Sequence, residues 1–149
     1  MIFRHAFQAQ APLHPVAGFH AQPASLAVLT PPPLTLRIEQ APEQLGEGDR
    51  MRFTLHLVFL SIHWLACIEG VTEKGFTDRQ LQGPFQSWQH RHLFLPLDDE
   101  NTLVFDEIRF TLKRHPIWGA VGLGIGLSLP LLFGYRAWKT RRILEKRDP

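Results

Sequence analysis

The chain predicts an α+β domain: a curved antiparallel sheet of about seven strands, two short helices after the first strand, and a long C-terminal helix. Three observations carry this expectation. Short segments of alternating apolar and polar residues recur between residues 34 and 112, separated by turn residues. Proline-bounded stretches fill residues 12–33. Residues 116–147 lack strand alternation and read as one long final element.

Residues 2–9 form the first strand, with loose alternation. Between Pro12, Pro15, Pro23 and the triple proline Pro31–Pro33 there is room for two short helices, about 15–20 and 24–29. Proline is favourable at a helix start, because its missing N–H would be unpaired there anyway. The triple proline must end the second helix. Leu34–Gln40 alternates as a half-buried strand, and Arg50–Leu60 repeats the pattern after a Gly46–Asp49 turn. Ile62–Val71 and Phe76–Gln82 follow. Gly83-Pro84 breaks the chain, so Gln86–Leu95 and Thr102–Leu112 form a hairpin around Asp98–Asn101. Strands at this spacing meander antiparallel. The last element holds Gly119, Gly122, Gly124, Gly126 and Pro130, so helix propensity is poor and packing must supply the rest.

The 149 residues make one domain, with enough chain to bury a core. A net charge of +2 conceals an asymmetry. Residues 136–149 carry six basic groups against two acidic ones, which leaves ten basic and twelve acidic residues in the remainder. The body is not basic, which argues against nucleic-acid binding. Cys67 stands alone, which excludes an internal disulfide and a cysteine-built zinc site. We read it as structural. Arg4 and His5 interrupt the N-terminus, so no secretory signal is expected there, and the expected location is cytoplasmic.

The informative stretch is Phe76–Asp106. Alternate residues place Phe76, Asp78 and Gln80, then Trp88, His90, His92 and Phe94, then Val104 and Asp106 on one face. A pure core face should be apolar, and a wet face should not carry Trp88 and Phe94. The mixture suits a sheet lining a ligand cavity, apolar for burial and polar for orientation. Trp64 and Phe110 are further aromatic wall candidates.

His90 and His92 at i, i+2 could ligate a metal with Asp78 or Asp106 as third ligand. The plainer reading is two hydrogen-bonded histidines at the pocket wall, with no metal and no cofactor. Asp106 alternates with Val104 and Ile108 on a buried face and must be paired or protonated. Pairing across the hairpin sets His92 opposite Asp106. Such a pair orients an imidazole and raises its basicity. It can be a structural clamp, a ligand-orienting group or a catalytic acid–base couple.

The string FTDRQLQGPFQSWQHRHLF from Phe76 to Phe94, with Thr102 and Asp106 in a later T-x-x-x-D, resembles the START-like (SRPBCC) superfamily. It is most similar to a bacterial ligand-binding group related to polyketide cyclase/dehydrase and lipid-transport proteins. Pro12–Pro33 resembles the family's paired short helices, and Phe133–Arg136 the end of its last helix. The resemblance implies a helix-grip fold, a sheet gripping the last helix around an apolar pocket. It implies binding of a small hydrophobic ligand such as a lipid or polyketide-like molecule. A cyclase or dehydratase using His92 and Asp106 is the enzymatic alternative.

The last element departs from that pattern. No Asp, Glu, Lys or Arg occurs between His115 and Tyr135, where the family's helix is usually charged. Residues 116–135 are long enough to cross a bilayer, with a basic flank behind them. A cavity-closing helix, a tail anchor and a basic helix resting on a membrane surface are the three readings of this segment.

Overall fold

The computed structural model of the chain describes residues 1–145. Seven strands form one antiparallel sheet in the order β1-β7-β6-β5-β4-β3-β2. Its strands are β1 (Ile2–Ala9), β2 (Thr35–Gln40), β3 (Arg50–Leu57), β4 (Leu60–Thr72), β5 (Gly75–Gln82), β6 (Phe85–Pro96) and β7 (Thr102–Leu112). Two short helices, α1 (Leu13–His20) and α2 (Pro23–Val28), follow β1, and α3 (Pro116–Leu144) closes the order. This is the expected helix-grip α+β architecture. The last helix was expected over 117–147; it ends at Leu144, and Lys146 and Arg147 lie outside the described residues.

Most strand boundaries fall within a residue or two of the expectation, and the largest difference is at the end of β3. The apolar alternation of β3 runs on through Phe59 in the sequence, yet the chain reverses at Val58-Phe59 and β4 begins at Leu60. Val58 adopts φ 53°, a left-handed conformation that a β-branched residue rarely takes. Tight hairpins usually announce themselves with Gly or Asn at that position. With neither present, alternation alone misplaced the turn. Val58 and Phe59 are both exposed at its tip.

The glycines of α3 are explained by where the helix lies. It packs against β1, β6 and β7 through Gly122, Leu129, Phe133, Ala137 and Thr140, a stripe at helical spacing. A Cβ on Gly122 would sit 3.0 Å from Leu112, and one on Gly126 would sit 2.9 Å from the Phe110 ring. These two positions trade helix propensity for close approach to the sheet. Pro116 occupies the first turn, where it is tolerated. The His115 ring accepts the Trp118 N–H at 3.3 Å and caps the helix.

Candidate functional site

Between α3, the concave face of β3–β6 and the α1–α2 segment lies a cavity of about 570 Å³. This is an ordinary size for a small-molecule site. Met51, Phe53, Ile62 and Trp64 wall it from the sheet, and Val121, Ile125, Leu129 and Leu132 from the helix. Leu26, Leu29 and Pro33 close the third side. The polar groups concentrate at one end: His20, Asp78, His90, His92 and Arg136.

The sequence places this chemistry by strand alternation. On β6, Trp88, His90, His92 and Phe94 are buried, while Gln89 and Arg91 between them are exposed. Register sets Asp78 of β5 opposite His90, and Asp106 of β7 opposite His92. The side chains then bond diagonally. His90 Nε2 lies 2.7 Å from Asp106 Oδ1, and His92 Nε2 lies 2.9 Å from Asp78 Oδ2. The directly opposed partners are farther: His90 Nδ1 is 3.5 Å from Asp78, and His92 Nδ1 is 3.4 Å from Asp106. His92 Nδ1 makes no hydrogen bond, so its 3.4 Å approach is a proximity only. The expected His92–Asp106 opposition therefore exists in the backbone, but the short bond of Asp106 goes to His90. The reason is that neighbouring same-face residues are close enough for a ring to reach the adjacent pair.

Phe76, His92 and His90 form a continuous stack, with centroids 4.3 and 3.7 Å apart. Burial opposes charge on His92, but the two aspartates outweigh it and hold the imidazole above its ordinary pKa. Burial and the neighbouring His92 keep His90 below. Burial would raise Asp106, yet the His90 bond and both imidazoles hold it well below the usual carboxylate range. Asp78 is lowered in the same way, chiefly by His92 against the effect of burial. Ionised carboxylates only accept, so the Nε2 of each histidine carries the proton it shares. Burial lowers His20 to about 4 although its Nδ1 donates to the Val16 carbonyl at 2.8 Å.

Donor atoms of Asp78, His90 and His92 lie within 4.8 Å of one another, as a metal site would require. The stacking works against that use. Lone pairs of imidazole lie in the ring plane, and rings inclined by 30° at 3.7 Å point theirs side by side. An ion about 2 Å from both nitrogens would have to leave the plane of at least one ring. The arrangement suits protons better than a cation.

Of the residues singled out from the sequence, Trp64, Phe76, Asp78, Trp88, His90 and His92 line this cavity. Asp106 stands behind His90. Three others lie outside the lining. Gln80 clamps the Phe85 backbone, donating to its carbonyl at 2.9 Å and accepting its N–H at 3.2 Å, which secures the turn at Gly83-Pro84. Phe94 is buried against His20 and Phe76, and Phe110 packs on Phe85 and Trp88. Alternation gave their face correctly, but how far along the strand the cavity reaches is decided by α3. Sequence reading missed His20 and Arg136 as lining residues. Arg136 follows Leu129 and Phe133 at helical spacing, which was the available signal; His20 had none.

No family model matches the sequence, and no curated protein matches it. Solved structures do. The Zhui aromatase/cyclase of Streptomyces sp. R1128 superposes with a TM-score of 0.77 at 16% identity, over 99% of this chain and 94% of that one. A START superfamily protein from Mycobacterium smegmatis gives 0.69 at 12% identity, over 95% and 98%. Norcoclaurine synthase from Thalictrum flavum, solved with dopamine and hydroxybenzaldehyde, gives 0.67 at 14% identity, over 100% and 89%. At these identities the likeness concerns the backbone, and it agrees with the strand order and the gripped helix: the chain has the START-like, helix-grip fold.

Proposed function

We propose that the protein binds a small hydrophobic ligand in the cavity between α3 and the sheet. The supporting observation is the cavity itself: about 570 Å³, walled mainly by aliphatic and aromatic side chains, with its polar groups gathered at one end. The fold likeness to an aromatase/cyclase and a START protein points the same way. Trp64, Phe76 and Trp88 contact the ligand body, and Asp78, His90 and His92 orient it. The test is native mass spectrometry and organic extraction on protein purified without detergent, beside an Ile125→Trp variant that fills the cavity. Bound mass in the wild type and none in the variant is the expected result. Equal occupancy in both would place the ligand elsewhere and sink the proposal.

The buried His–Asp cluster favours a second, enzymatic reading. A cyclisation or dehydration needs a group that gives and takes protons beside an apolar substrate. His92, whose pKa the two aspartates raise and which lines the cavity, is the candidate acid, and Asp106 acts on the cluster through its bond to His90. A carrier should tolerate His92→Gln with modest loss of affinity, whereas an enzyme should bind normally and lose about 100-fold or more in turnover.

The outer face of α3 favours membrane association of the same domain. Only 17% of its most apolar 18-residue stretch is buried, and the helix is long and apolar enough to cross a bilayer. Ile117, Leu127, Leu131 and Trp138 are exposed along it, with Arg141 and Arg142 in the last turn. An exposed apolar face ending in basic groups suits an anionic lipid surface.

A further inference from the structure

Arg136 enters the polar end of the cavity from α3, its guanidinium 5.2 Å from the Phe133 ring. No carboxylate reaches it within salt-bridge distance among the described residues. Both nearby acids are engaged elsewhere: Asp78 accepts from His92, and Asp106 accepts from His90. They act on Arg136 only through space. A guanidinium presents five N–H donors in a planar fork that matches a carboxylate. The Arg136 side chain is half-buried, and a charge partly withdrawn from water is costly unless something pairs with it.

Taking the cavity as the binding site for a hydrophobic ligand, we propose that this ligand is a slim amphipathic acid, its single carboxylate held by the Arg136 fork. Its apolar body then runs between Trp64, Ile62 and the Val121–Leu132 face of α3. The charge of the surroundings favours a monoanion. His20 of α1, Asp78 of β5, His90 and His92 of β6, Asp106 of β7 and Arg136 of α3 face one another at this end. His5 of β1 stands 5.8 Å from the Phe133 ring on the same side. Asp78 and Asp106 already stand at this end, so a second negative charge on the headgroup would face carboxylates rather than a free cation.

The experiment measures displacement of the neutral dye N-phenyl-1-naphthylamine by dodecanoic acid and by 1-dodecanol. Wild type should bind the acid about 10- to 100-fold tighter than the alcohol, the scale of a charge-assisted hydrogen bond. Arg136→Gln should abolish that preference, read as the ratio of acid to alcohol affinity within the same variant. Arg136→Lys, which keeps the charge but loses the fork, should retain part of the preference and serves if the glutamine variant does not fold. Equal wild-type affinity for acid and alcohol overturns the proposal, as does a preference that survives in Arg136→Gln. Dye bound but displaced by neither probe also overturns it, while leaving the hydrophobic-ligand reading intact. If dye, acid and alcohol all fail to bind, the cavity reading itself falls.

Discussion

His92 donates its Nε2 proton to Asp78 across 2.9 Å, although the acid directly opposite it in the sheet is Asp106. The same exchange occurs at His90, which faces Asp78 in register but bonds to Asp106. Each imidazole thus lies between two carboxylates, and the four side chains form a closed ring. Each member therefore shapes the electrostatic environment of the others.

Asp106→Asn keeps the shape and removes one negative charge. It should lower the His92 pKa and destabilise the fold by about 2–4 kcal/mol, as breaking a buried charge network does. A histidine-detected NMR titration with urea unfolding reads both effects. In the wild type, His92 should titrate above free imidazole and His90 below it. The reverse order would refute the assignment of the positive charge to His92.

Stability should fall as pH drops below about 6.5. The folded-state pKa of His20 is lowered to about 4, so the unfolded chain binds more protons between these values. His20 alone contributes up to about 3 kcal/mol of loss across that window. His90, also lowered, acts in the same sense. His92 acts oppositely: its raised pKa stabilises fully below the unfolded value, and this is lost as pH rises through its folded pKa. The lowered Asp78 and Asp106 stabilise above about pH 4 and lose that contribution only as pH falls further through their folded values. Urea denaturation at several pH values should show a shallower acid limb in His20→Gln than in wild type. Parallel limbs would mean that His20 is not the titrating group.

Gly75 starts β5 with φ 149°, and a Cβ there would lie 2.0 Å from the carbonyl oxygen of His92. Gly75→Ala must therefore push β5 and β6 apart beside the His–Asp ring. We expect a loss of about 3 kcal/mol or more, with displaced His92 resonances. A thermal melt within a degree of wild type would contradict this geometry.

Two glycines of α3 should respond with opposite signs. Gly134 is exposed, and a methyl group added there would meet nothing within 4 Å, so Gly134→Ala should stabilise by up to about 1 kcal/mol. Gly126→Ala meets the Phe110 ring and should destabilise by about 1–3 kcal/mol despite the better propensity. Denaturation midpoints of the two variants decide the matter; a shared sign would show that contact with the sheet does not set the helix's glycine content.

The outward face of α3 is open to a direct test. Leu127→Glu with Leu131→Glu, both exposed, should leave folding within about 0.5 kcal/mol while abolishing flotation with anionic phosphatidylglycerol vesicles. High salt should weaken the wild-type association, because the basic last turn is screened. Flotation that survives both changes would locate the contact on another surface.

Alternation with period two determined most of the sheet. Strands β1, β6 and β7, the face bearing Trp88, His90 and His92, and the opposition of His92 and Asp106 all follow from it, because a pleated strand leaves each residue only two directions. The prolines placed the short helices only approximately: α1 begins at Leu13, before the expected start, and carries Pro15 within its first turn, where a proline is tolerated. Tertiary structure decided the rest. The pairing of His90 with Asp106 and His92 with Asp78 depends on diagonal reach between three strands, which no single strand encodes. The exclusion of Phe94 and Phe110 from the cavity, and the inclusion of His20 and Arg136, depend on where α3 settles. That position is set by methyl-free contact at Gly122 and Gly126, whose partners Leu112 and Phe110 lie in another element. Local pattern dictates which side of a strand a group occupies; only packing between elements brings the groups into one site.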